Sequence, residues 1–158
     1  MVVSSPSIVL TTDLRGQNYK DFDNATKEWN KALQKPAVMV TTGPVSKNPT
    51  IMDGKNSVTI GNLQNDVLGK TYIKTESGTT NKREVDIVID PMANRDVFKT
   101  TALHEIGHAL GAGHTSNTNT IMNPTIEIGG NTKPQTKITQ EDINAVRHAT
   151  GTNINYLV

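Results

Sequence analysis

The feature that most constrains this chain is a group of histidines at fixed spacing in its second half. His104, Glu105, His108, Gly111 and His114 form the pattern H-E-x-x-H-x-x-G-x-x-H. Two histidines four positions apart on a helix lie on one face about a turn from each other, so both imidazoles can reach one metal ion. Gly111 is expected to end the helix, because a residue without Cβ adopts the left-handed conformation at little cost. The chain then turns back, and His114 can supply a third nitrogen.

These residues predict a catalytic zinc site. Catalytic sites commonly use three protein ligands and leave the fourth position to water, whereas structural sites are closed by four ligands, often cysteines. The chain contains no cysteine. Glu105 projects about 100° around the helix from His104, so it can reach the water without binding the metal. Zinc lowers the pKa of its water to about 7, and Glu105 is then the expected general base for hydrolysis of an amide.

The pattern continues beyond the histidines, since Met122 follows His114 by eight residues. A bare H-E-x-x-H also occurs in helices with two exposed histidines, but the glycine, the third histidine and the methionine argue against that alternative. The extended motif resembles the metzincin clan of zinc endopeptidases, in which a methionine-containing turn lies under the metal site. The segments HEIGHALGAGHT, TIMNP and KITQEDINAVRHATG most resemble the matrixins, the matrix metalloproteinase family and its microbial relatives.

The resemblance implies zinc as the cofactor, with His104, His108 and His114 as ligands and with Met122 and Gly111 as structural support of the site. Animal matrixins hold a second zinc with histidines upstream of the motif, and no histidine precedes His104 here. That second zinc is therefore expected to be missing. The acidic runs that bind calcium in those enzymes are not evident either, so calcium stays open as a cofactor but is not indicated.

The expected fold is α+β and zincin-like: a twisted five-stranded mixed sheet with one antiparallel edge strand, a backing helix, the active-site helix and a C-terminal helix. Short β-branched runs predict strands over 7–12, 37–42, 57–63, 68–75 and 84–90. Apolar residues at three- and four-residue steps predict the backing helix over 19–34, with Trp29 as a core anchor. The other helices are expected over 97–110, with Asp96 as N-cap, and from Thr139 through His148.

The fourth strand is expected to form part of a substrate cleft. An exposed sheet edge offers unpaired N–H and C=O groups that hold an extended peptide as an added strand. The resemblance to the matrixins also places a pocket wall after the methionine and a rim loop over 125–134. The expected cleft residues are Gly69, Lys70, Thr71 and Tyr72 on the strand and Asn123, Pro124 and Thr125 on the wall. The alternative for the strand is that its polar alternation marks only a solvated edge.

Length and charge limit the organisation and the partners of the chain. Its 158 residues suffice for one core, so we expect a single catalytic domain over 1–158, with subdomains that meet at about residues 113 and 114. The formal net charge of +1 gives no indication of nucleic acid, and no segment is apolar enough to span a membrane. A monomer is expected. A secreted enzyme whose signal segment is not in this chain is favoured, and a cytoplasmic one is the alternative.

The sequence therefore predicts a zinc-dependent endopeptidase that acts on an extended peptide or protein through a metal-activated water and the general base Glu105. One alternative is a zinc amidase that uses the same site on non-protein amides. A second is a catalytically silent binding module that the metal only stabilises. The presence of Glu105 argues against the second alternative, because a purely structural site has no use for a base at that position.

Overall fold

The computed structural model describes residues 8–76, 82–91, 94–126 and 134–147, together with the backbone of 156–157. Its elements are β1 (Ile8–Thr12), α1 (Gly16–Leu33), β2 (Val38–Thr42), β3 (Ser57–Ile60), β4 (Gly69–Glu76), β5 (Lys82–Ile89), α2 (Arg95–Ala109), α3 (Gln140–Arg147) and β6 (Tyr156–Leu157). The predicted helix end at His148 and most of the predicted rim loop, over 127–133, lie outside the described residues. No helix in the described part is long and apolar enough to cross a membrane.

The strands form one mixed sheet in the order β2-β1-β3-β5-β4-β6. The strands β1, β2, β3 and β5 run parallel to one another, and β4 runs antiparallel to β5. The predicted α+β fold, with five strands of which one is antiparallel, is thus confirmed for β1 to β5. The prediction that β4 is the edge strand is wrong at Lys70 and Thr71, because the two-residue strand β6 pairs with β4 at these residues. A strand of two residues is too short to produce a recognisable alternation.

The helices α1 and α2 pack against each other, and the core includes apolar side chains of both helices and of the sheet. Trp29 is fully buried, and its Nε1 donates a hydrogen bond of 2.8 Å to the carbonyl of Leu103 on α2. Its predicted place in the core is confirmed. Because β1 and β2 are parallel neighbours, the chain must cross between them, and α1 provides this connection.

The helix α2 begins earlier than the sequence indicates. Its N-cap is Asn94, whose side-chain oxygen accepts a 2.9 Å hydrogen bond from the backbone N–H of Val97. The prediction of Asp96 as the cap is wrong, and Asp96 instead lies in the first turn, where a negative charge interacts favourably with the helix dipole. Nearly every residue from Val97 to Ala109 is buried, so α2 runs through the interior and fixes the motif it carries.

Candidate metal centre

Three imidazole rings converge near the end of α2. The Nε2 atom of His108 lies 3.0 Å from Nε2 of His104 and 3.2 Å from Nε2 of His114. Two nitrogens bound to one tetrahedral zinc at about 2.0–2.1 Å are themselves about 3.3 Å apart, so these separations suit a single ion. His104 and His108 are buried and His114 is exposed. The donor set therefore fits a zinc centre that is open on the side of His114.

The other nitrogen of each buried ring is held by the backbone. Nδ1 of His104 lies 2.6 Å from the carbonyl oxygen of Ile121, and Nδ1 of His108 lies 2.8 Å from that of Ala112. A carbonyl only accepts, so each Nδ1 must carry the proton and each Nε2 keeps its lone pair for a metal. Burial lowers the pKa of His104 to about 4 and lowers the pKa of His108 as well. Both rings are therefore neutral at pH 7, the form that binds metal.

Gly111 directs the chain from the helix to the third histidine. Its φ of +104° lies in a region that side chains with a Cβ rarely adopt. The N–H of Gly111 donates to the carbonyl of His108, and the N–H of Ala112 donates to that of Gly107, both at 2.9 Å. These two bonds close the end of the helix, and the following residues bring His114 to the other two rings.

Met122 is fully buried behind the helix. A Cβ built on Gly107 would lie 2.3 Å from Sδ of Met122, far inside the contact distance of the two atoms. Glycine at this position therefore lets the sulfur pack against the backbone of α2 at the turn between His104 and His108. The structure thus places Met122 directly against the segment that carries the two buried histidines.

Asp142 of α3 holds the turn that contains Met122. Its carboxylate is fully buried and accepts hydrogen bonds from the backbone N–H groups of Met122, at 2.9 Å, and Ile121, at 3.0 Å. It also accepts from the N–H of Thr139 at 2.9 Å, which completes the helix cap that the sequence indicates. Capping is a local pattern and could be predicted. The contacts with Ile121 and Met122 span 21 and 20 residues, and nothing local signals them.

Glu105 is completely buried. Among the described residues, no group meets either oxygen of its carboxylate in hydrogen-bond geometry. Burial raises its pKa well above 4.5, although the nearby Thr71 acts to lower it. A carboxylate in such surroundings is costly unless a polar group meets it, and water activated by a metal is a group of that kind. An unpaired acid one position from the first histidine is therefore suited to the role of general base.

The start of β4 packs directly on Glu105. A Cβ on Gly69 would lie 2.9 Å from Cγ of Glu105, so this close approach requires glycine. The hydroxyl of buried Thr71 donates a 3.2 Å hydrogen bond to the carbonyl of Glu105. Lys70 and Tyr72 are half-buried, and Nζ of Lys70 lies 4.6 Å from the centre of the Tyr72 ring. Of the four predicted cleft residues on this strand, Gly69 and Thr71 face the helix, whereas Lys70 and Tyr72 alternate to the other face.

The segment after Met122 lines a cavity of about 480 Å³. Its wall includes Asn123, Pro124 and Thr125, and Thr100 of α2 contributes from the opposite element. Asn123 stiffens this wall, since its amide donates to the carbonyl of Thr115 at 3.3 Å and its oxygen accepts from the N–H of Thr125 at 3.0 Å. The three predicted wall residues thus lie together at one cavity, next to the turn beneath the histidines.

Known proteins resemble parts of this chain. Metalloendoproteinase 2-MMP of Arabidopsis thaliana is 32% identical over 88 residues, which are 56% of this chain and 22% of that protein. Matrilysin of Homo sapiens is 42% identical over 59 residues, which are 37% of this chain and 21% of that protein. The chain therefore spans about a fifth of the length of these curated relatives.

A solved structure and a family pattern cover more of the chain. An archaemetzincin from Methanopyrus kandleri superposes with a TM-score of 0.54 over 92% of this chain and 95% of its own, at 12% identity. At that identity the likeness shows the fold alone. The sequence pattern of the matrixin family matches residues 13–151, which include all three histidines, Glu105 and Met122. The chain therefore belongs to the matrixin family.

Proposed function

We propose that this chain is a zinc-dependent endopeptidase. The observation that carries the proposal is the buried, unpaired carboxylate of Glu105 on the helix that presents two of three converging imidazoles. His104, His108 and His114 would hold the zinc, which when bound supplies Lewis acidity towards a water molecule and a carbonyl group. Membership of the matrixin family and the metalloendoproteinase names of the relatives support this assignment.

Glu105 moves the proton in this proposal. Its carboxylate takes a proton from the attacking water and then gives it to the amine that leaves. Burial raises the pKa of Glu105 well above 4.5, and an acid-base group works best when its pKa lies near the working pH. The hydrogen bond from Thr71 to the backbone carbonyl of Glu105 ties this turn of α2 to β4. The base is therefore held in place from the strand side of the cleft.

The substrate in this proposal is an extended peptide or protein. It lies along β4 on the side away from β5, where an extended peptide can pair with the backbone of β4 in place of the two-residue strand β6. Gly69 brings this strand into contact with Glu105, so a peptide beside it runs past the base. The cavity of about 480 Å³ lined by Asn123, Pro124 and Thr125 is a receptacle for one substrate side chain.

We further propose that the enzyme acts outside the cell as a monomer. A peptidase with an open site for extended chains endangers the proteins of the compartment in which it is made, which favours export.

Replacement of Glu105 by glutamine tests the assignment. Glu105→Gln keeps the shape of the side chain and all three histidines but removes the base, so kcat/KM for an internally quenched peptide should fall by about 10²- to 10⁴-fold. Zinc content, measured by atomic absorption, should stay at about one ion per chain, as expected for three intact ligands. Glu141→Gln, which changes an exposed acid on α3, is the matched control and should keep full activity.

Two outcomes would change the proposal. An undiminished rate of Glu105→Gln on casein or gelatin would refute the role of the base. Hydrolysis of small amides without any cleavage of a peptide library would favour the amidase, because an endopeptidase requires residues on both sides of the scissile bond.

A further inference from the structure

The strand β6 occupies the side of β4 that is opposite to β5. It runs antiparallel to β4, with Leu157 opposite Lys70 and Tyr156 opposite Thr71. Because β5 lies along the whole of the other side of β4, β6 covers the remaining side at Lys70 and Thr71. Neighbouring residues of a strand direct their N–H and C=O groups to opposite sides, so β6 takes up the outward backbone groups of one of these two residues, which would otherwise be available to an incoming strand.

This pairing lies next to the proposed general base. Gly69, one residue before Lys70, packs so closely on α2 that a Cβ there would lie 2.9 Å from Cγ of Glu105. Thr71 is hydrogen-bonded to the backbone of Glu105 at 3.2 Å. The two residues of β4 that β6 covers are thus the residues along which a peptide must lie to pass the carboxylate of Glu105.

We propose that the segment Tyr156–Leu157 is an internal competitor of the peptide substrate at the edge of β4. The proposal rests on the proposed endopeptidase function. An N–H or C=O group of an edge strand pairs with one partner strand at a time, so substrate and β6 exclude each other at Lys70 and Thr71. A segment on the same chain competes at a high effective concentration, even when its own pairing is weak. Substrate must displace it, and the apparent affinity falls by the fraction of molecules in which the edge is free.

Two variants of the full chain separate the backbone of β6 from its side chains. Tyr156→Pro combined with Leu157→Pro removes both N–H groups of the segment, and proline does not fit a sheet ladder. Tyr156→Val combined with Leu157→Val is the matched control, because valine keeps the N–H groups and favours extended structure. Neither change replaces a residue of the metal centre or of the proposed cleft.

The expected result is a change in KM with little change in kcat. In the proline variant KM for a quenched peptide should fall about threefold to tenfold, because the competitor no longer occupies the edge. The valine variant should behave as the parent. Hydrogen exchange followed by mass spectrometry provides a second measurement, since peptides that contain Lys70 and Thr71 should exchange faster in the proline variant only.

The outcomes distinguish this proposal from the proposed function. Faster exchange with an unchanged KM would show that β6 pairs with β4 without hindering substrate, and unchanged exchange would show that β6 does not protect the edge; either result overturns the competition. If the parent cleaves no peptide, the endopeptidase function fails. Competition is then measured by fluorescence anisotropy with a labelled tripeptide hydroxamate, where tighter binding to the proline variant than to the valine variant supports it and equal binding overturns it.

Discussion

Nδ1 of His104 and the carbonyl oxygen of Ile121 lie 2.6 Å apart, so the first histidine of the buried helix is oriented by the turn that contains Met122. That turn is itself fixed by Asp142, which accepts hydrogen bonds from the N–H groups of Ile121 and Met122. The orientation of the His104 ring therefore depends on a carboxylate of α3, through the turn that contains Ile121 and Met122.

Asp142→Asn should weaken zinc binding by about 10- to 100-fold, the usual effect of losing an outer partner of a metal ligand. An amide offers a single acceptor oxygen and turns its NH₂ group towards backbone N–H groups, so a loss of about 1–3 kcal/mol in the free energy of unfolding is also expected. Zinc affinity is measured by competition with a chromophoric chelator. Glu141→Gln, at an exposed neighbouring position, is the control, and equal zinc affinity of the two variants would show that the turn does not position His104.

Gly107→Ala should destabilise the protein although alanine favours the helix by about 1 kcal/mol. The added Cβ would lie 2.3 Å from Sδ of Met122 and 3.1 Å from Cζ2 of Trp29, and overpacking of this kind costs about 1–3 kcal/mol. Urea unfolding of Gly107→Ala, Met122→Ala and the double variant forms a cycle. The double variant should lose less than the two single losses combined, and simple additivity would contradict the contact.

Lys74 of β4 lies among oxygen atoms. Its Nζ is 2.9 Å from Oε2 of Glu84 and 2.5 Å from the carbonyl of Pro49, and it also contacts the carboxylate of Asp86. Burial, and after it the nearby Glu84, raise the pKa of Asp86 to about 6, although Lys74 and Ser57 act to lower it. Burial also acts to raise the pKa of Glu84, but its contacts with Asp86 and Lys74 prevail and lower it to about 2.

Lys74→Met should cost about 3 kcal/mol at pH 7, because two buried carboxylates then lack the charge that compensates them. Their repulsion raises both pKa values in the folded state. A carboxyl group with a raised folded pKa destabilises when ionised, so the deficit should shrink as the pH falls from 7 to 5. Urea unfolding at the two pH values tests this. Lys47→Met removes an exposed ion pair with Asp13 and should change stability by less than about 1 kcal/mol; an equal deficit of Lys74→Met at both pH values would contradict the prediction.

Removal of the metal should make stability sensitive to acid. Burial lowers the folded pKa of His104 from 6.5 to about 4, and the pKa of His108 moves in the same direction. The unfolded chain then binds more protons than the folded chain, so stability is intact above pH 6.5 and falls as the pH decreases towards 4, by at most about 3 kcal/mol for His104. Urea unfolding of chelator-treated protein between pH 8 and 5 measures this. His104→Asn lacks this titration, and an identical pH dependence of the two proteins would contradict the prediction.

The parts of the site that could be predicted are those encoded by short spacings. His104 and His108 are one helical turn apart, and Gly111 reverses the chain, so their arrangement depends on few residues. The strands β1 to β5 likewise follow from local runs of apolar and β-branched residues. The resemblance to a family with a recognisable motif added the expected position of the cleft strand, and in the structure Gly69 of that strand lies against Glu105.

The parts that could not be predicted depend on partners far along the chain. The sequence indicates Asp142 as the acid of a helix cap, whereas its contacts with Ile121 and Met122 appear only in the folded structure. In the sequence, Lys74 is one of several polar residues of a strand. Only the structure shows that its ammonium group is surrounded by oxygen atoms. The pairing of β6 with β4 links residues more than eighty positions apart, and two residues carry too little pattern to indicate it. Asn94 and not the predicted Asp96 caps α2, because the helical backbone already begins at Arg95.

Trp29 is an intrinsic fluorescent probe of this centre. It is the single tryptophan of the chain, and its indole N–H donates to the carbonyl of Leu103, the residue just before the first histidine of the motif. Indole emission shifts with the strength of such a bond and with the packing around the ring. The fluorescence of the unlabelled protein is therefore expected to report changes in α2 near the histidines. Titrations with zinc or with a chelator can then be followed without an added dye.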